Sequence, residues 1–74
     1  MVQRIRVKFG TTEEAVRKEL SRISETNGWD PNRVCFVLDV NSCTVADTVY
    51  AVSNSDLELP SHPSGVSAVM KLNP

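Results

Sequence analysis

The sequence predicts an α+β fold: a mixed or antiparallel sheet of about four strands with one long helix packed on one face. Three observations carry this. Residues 2–9 alternate apolar and polar, residues 11–26 carry a helical apolar stripe, and residues 33–40 form a second, more apolar strand pattern. The remainder is rich in Val and Thr and closes on another alternating run, which completes the order β-α-β-β-β. The competing order, β-α-β-α-β, makes residues 45–52 helical.

In the first strand Ile5, Val7 and Phe9 share one face by the two-residue period, and Arg4, Arg6 and Lys8 share the other. The apolar set, Phe9 included, is expected to be buried and the basic set wet. Gly10 ends the strand. Thr11 stands three residues before Glu14, the spacing of a capping box, and Glu13 and Glu14 favour the positive end of the helix dipole. Val16, Leu20 and Ile23 recur at i, i+4 and i+7, with Glu13–Arg17 and Glu14–Lys18 as i,i+4 pairs. Asn27-Gly28 supplies a left-handed stop. Pro31 keeps the helix from resuming, and Trp29 is expected to fold back over its end.

Val34, Phe36, Leu38 and Val40 then fall on one face and Cys35 and Val37 on the other. Apolar residues on both sides mark a central strand. Residues 45–52 fit a helix through Val45, Val49 and Val52, but β-branched and aromatic density favours a strand over residues 47–53. Leu57-Glu58-Leu59 reads as a short edge piece ended by Pro60. Residues 61–65 form a polar loop, and Val66, Ala68, Met70 and Leu72 alternate as the last strand.

The 74 residues leave room for a single small domain spanning 1–74. A core of this size supplies roughly 3–5 kcal/mol, so resting on a partner or a second copy is a natural way to gain stability. No run is long enough to span a membrane and no secretory leader is legible, so a cytoplasmic protein is expected. Two cysteines are too few for a disulfide scaffold. Cys35 reads as a buried thiol, and Cys43, after a turn, as a more exposed one.

Chemistry is thinly represented. His62 is the lone histidine and has no metal-ligand set around it; Asp30, Asp39, Asp47, Asp56 and Glu58 are spread singly. Gly10, Gly28 and Gly65 are isolated and build no phosphate cradle. No catalytic residue, metal site or cofactor is therefore predicted, and the chain is read as non-enzymatic. Net charge is −1, which argues against a general nucleic-acid coat, yet the charge is uneven. Residues 1–33 hold seven cations against five anions, a net +2. Residues 34–74 hold one cation against four anions, a net −3.

The basic face of the first strand is the leading candidate site. Arg4, Arg6 and Lys8 project about 7 Å apart along one side of a sheet. With one helix covering one face, that side is left to water, a partner or a second copy. The leading expectation is a small protein-interaction or regulatory module, with homodimerisation through sheet edges as one form. The alternative is a nucleic-acid binder using Arg4, Arg6, Lys8 and helix residues Arg17, Lys18 and Arg22, though interleaved aromatics are lacking. Leu57-Glu58-Leu59-Pro60 with Gly65-Val66-Ser67-Ala68-Val69-Met70 is similar to the tail of a ubiquitin-like β-grasp domain, where a glycine turn precedes the last strand. The chain departs from that fold by entering its helix after one strand, so no function is carried over.

Overall fold

The structure is a computed structural model describing residues 1–59 and 69–73. Its elements run β1 (Gln3–Lys8), α1 (Glu13–Asn27), β2 (Cys35–Leu38), β3 (Asp47–Ser53) and β4 (Met70–Lys71), with 3-10 turns at Val40–Ser42 and Asp56–Glu58. The sheet order is β1-β3-β2-β4 and each neighbouring pair is antiparallel. β1 and β2 therefore run parallel, with β3 returning from β2 to sit between them. This is the α+β architecture expected, with residues 47–53 as strand.

One face of the sheet meets the helix. Val16 and Leu20 of α1 cluster with Val34, Phe36, Val52 and Leu72, and Ile5, Val7, Ile23, Trp29, Tyr50 and Met70 pack around them. The Phe36 and Tyr50 rings meet edge to face, 5.8 Å apart. Trp29 is half-buried against this cluster just past the helix, where its backbone N–H donates to Ser24 O and its backbone carbonyl accepts from the Ser24 hydroxyl. The other face carries a smaller cluster of Cys35, Val37, Ala51 and Leu59, with Val2 against it. The apolar residues on both sides of β2 thus have a destination on each side.

Several local expectations need correction. Phe9 is not buried; it is 76% exposed, because Gly10 (φ 88°) turns the chain before the helix begins and nothing of α1 reaches back over the ring. The helix is capped by Thr12, not Thr11: Thr12 Oγ1 accepts the Ala15 N–H at 3.2 Å, while Thr11 Oγ1 donates to Lys8 O at 2.6 Å. Gly28, in the left-handed region at φ 69°, ends the helix as its sequence position implies. β2 stops at Leu38, because Asp39 leads into a 3-10 turn, and Val40 leaves the apolar row to become exposed. Leu57-Glu58-Leu59 is not an edge strand. The Ser53 hydroxyl accepts the Ser55 N–H and donates to Glu58, folding this segment into a turn that buries Leu59 and exposes Leu57. The last strand is found at Met70–Lys71 and is shorter than the alternation implies: Leu72 lies beyond it, buried and donating its N–H to Val34 O, while the glycine turn and residues 66–68 lie outside the described residues.

Candidate interaction surface

The cations of β1 project from the face opposite α1, as the alternation requires, but two of the three have internal partners. Arg4 shares its cross-strand row with Ala51 and Val37, and its Nε donates to Asp39 at 2.8 Å. Asp39 is nearly closed off from solvent and also accepts the Ser42 hydroxyl at 3.0 Å. Its carboxyl is held below the usual carboxylate range, chiefly by the Arg4 hydrogen bond, which outweighs the opposing cost of burial. Arg6 reaches Asp47 at 3.4 Å with both side chains substantially exposed, a much weaker contact. Lys8 makes no ion pair among the described residues.

The helix cations lie on the other side of the molecule and do not join this row. Arg17 is committed to the fold: it donates to Glu13, to the Lys71 and Leu72 carbonyls at 2.8 and 2.7 Å, and lies over the Phe36 ring. Arg22 pairs with Glu19 at 2.7 Å. Lys18 is exposed and makes no ion pair among the described residues. The six sequence-predicted residues therefore form two groups on opposite faces, each interleaved with acids. The charge imbalance between the two parts of the sequence has an internal use: Asp39 and Asp47 from the acidic part neutralise Arg4 and Arg6 from the basic part.

A feature the sequence reading missed lies at the end of the sheet where β1 leaves it. The Phe9 N–H donates to Ala46 O at 2.9 Å, which sets Phe9 beside the 43–46 turn. Val45 on that turn is 99% exposed, and Val40, in the same connection, is about half exposed. Thr44 and Cys43 hold the turn: Thr44 Oγ1 accepts the Ala46 and Asp47 N–H groups, and Cys43 Sγ accepts from Val49 N while donating to Asp39 O. Val45 is thus presented on a braced turn, with Phe9 tied beside it by its backbone N–H. The break in alternation at Gly10 is the sequence signal that marks Phe9 as outside the core.

Both cysteines are free thiols, Cys35 buried and Cys43 half-buried. Among the described residues no group of three potential metal ligands converges, and no helix is long and apolar enough to cross a membrane. His62 lies outside the described residues. Comparison with protein-family profiles, with curated proteins and with solved structures finds no match.

Proposed function

We propose that this chain is a small, non-enzymatic protein-interaction module whose contact surface is the sheet end bearing Phe9 and Val45. The observation that carries this reading is the exposure of those two side chains, 76% and 99%, on adjacent, hydrogen-bonded segments. Burying a Phe or Val side chain is worth about 1.5–3 kcal/mol, a gain the isolated fold forgoes at this end. Lys8, the residue before Phe9, sets an exposed cation beside this apolar pair. Two free thiols suit a reducing, cytoplasmic setting. The nucleic-acid reading draws less support, since the cations lie on two faces and Arg4, Arg6, Arg17 and Arg22 have acidic partners.

The test is affinity capture from the native host with the wild-type chain and with Phe9→Ser/Val45→Ser, followed by mass spectrometry. A protein retained by the first and lost by the second is the expected result. Identical captures by the two well-folded chains overturn the assignment of this end. Binding of nucleic acid that falls steeply with salt would favour the other reading.

A further inference from the structure

The bond from the Phe9 N–H to Ala46 O continues the register in which Lys8 lies opposite Asp47, Arg6 opposite Val49 and Arg4 opposite Ala51. Hydrogen-bonded and non-bonded pairs alternate along an antiparallel ladder. Gln3, Ile5, Val7 and Phe9 therefore aim their backbone groups at β3, and Arg4, Arg6 and Lys8 aim theirs away from it. β1 is the outermost strand, and among the described residues no strand lies on its outer side. The Lys8 carbonyl is already taken by the N–H and hydroxyl of Thr11, at 3.0 and 2.6 Å. The N–H and C=O of Arg4 and Arg6 and the N–H of Lys8 remain as an edge template.

We infer that this edge takes up an extended peptide segment of a partner protein, carrying acidic residues at alternate positions, as an added strand. The inference rests on the interaction reading above and names the partner's chemistry. The residues that offer outward backbone groups are the same ones that carry cations, and a residue placed directly opposite shares their face. Asp39 draws Arg4 inward, so the incoming acids meet Lys8 and compete with Asp47 for Arg6, whose contact with it is exposed and long at 3.4 Å. The residues between those acids lie beside Ile5 and Val7, half-buried at the margin of the sheet, and beside Phe9. An alternation of acidic and apolar residues fits both faces.

A second copy of the chain does not fit the same edge. Two-fold antiparallel pairing of β1 with β1 keeps the corresponding faces together, so even-numbered residues meet even-numbered ones in every register. Arg4, Arg6 and Lys8 then oppose one another, and like charges directly opposite destabilise the pair.

The test titrates the full chain with a short peptide alternating glutamate and valine, tailed with glycine and serine for solubility, and follows amide hydrogen exchange by NMR. In the free chain the Arg4, Arg6 and Lys8 amides should exchange fast beside protected Ile5 and Val7 amides. Bound peptide should slow those three at least about tenfold. Lys8→Glu and Arg6→Glu/Lys8→Glu should weaken binding, the double change by about tenfold or more, and a lysine–valine peptide should not bind. N-methylating the glutamate amides should abolish binding if the peptide adds antiparallel, and methylating the valine amides if it adds parallel. These peptide controls leave the protein unaltered and so do not depend on any variant folding. Absence of the three-amide protection, equal binding of the lysine peptide, or indifference to both methylation patterns overturns the inference. If protection is absent while Phe9→Ser/Val45→Ser still loses its partner, strand addition fails and the interaction reading stands.

Discussion

Arg4 and Asp39 are 35 positions apart in sequence and 2.8 Å apart in space, and that contact changes what a substitution in the basic row should do. Exposed changes ordinarily stay within about 0.5 kcal/mol, and Lys8→Ser should conform. Arg4→Met should instead cost about 1–2 kcal/mol, because it strips a shielded carboxylate of its charged donor; chemical denaturation of the two variants checks the contrast. The depressed pKa of Asp39 sets a pH dependence as well. The unfolded chain binds this proton more readily than the folded one, so the stabilisation is complete above the ordinary carboxylate pKa. It is lost as pH falls through the lower folded value. Below about pH 4 the urea midpoint of the wild type should therefore fall more steeply than that of Asp39→Asn. Parallel slopes would show that the Arg4–Asp39 pair is not formed in solution. Alternation in the sequence reveals which face Arg4 occupies, but its partner depends on how β3 enters the sheet. That information is tertiary.

At the scale of elements, what was legible is what local chemistry decides. The helix announces itself through acidic residues in its first turn, the Val16–Leu20–Ile23 stripe and the Gly28 stop, all within reach of one another along the chain. Its first residue is harder to place because Thr11 and Thr12 are adjacent and chemically equivalent; the bonds of both the Thr11 N–H and hydroxyl to Lys8 O commit Thr11 to the turn and leave Thr12 as cap. Thr12→Ala should accordingly lower stability by about 0.5–2 kcal/mol, and Thr11→Ala by less, read from thermal melts of both. The reverse order would return the cap to Thr11. Val45, Val49 and Val52 fit a helical spacing, and residues 47–53 fit a strand. Their β-branched content decided correctly, because the segment becomes a central strand with Val49, Ala51 and Val52 buried between β1 and β2. The alternation of Leu57 and Leu59 imitates a strand where the chain forms a 3-10 turn at Asp56–Glu58. The Ser53 hydroxyl, bonded to both Ser55 and Glu58, overrides that pattern.

For the molecule as a whole, size makes single contacts decisive. Phe36 is almost wholly buried, meets Tyr50 edge to face and lies under Arg17, so Phe36→Ala should cost about 3–5 kcal/mol. That is close to the entire stability of so small a domain, and circular dichroism at room temperature should show substantial unfolding. A variant melting within a few degrees of the wild type would mean that the helix does not pack on this ring. The same marginal stability makes an open strand edge hazardous, since an unpaired β1 invites association with any other copy. The row Arg4, Arg6 and Lys8 opposes this by placing like charges face to face in every two-fold register. Arg6→Thr/Lys8→Thr keeps strand propensity and removes most of that repulsion, while Arg4 remains tied to Asp39. The variant should therefore associate beyond the state of the wild type, as a concentration-dependent rise in mass by sedimentation or light scattering. Raising the salt should shift the wild type in the same direction, because screening weakens the repulsion between exposed charges. If the uncharged edge leaves the mass unchanged at every concentration, the cations are not what keeps copies apart. The row's alignment with the outward backbone groups would then have to be explained by a partner alone.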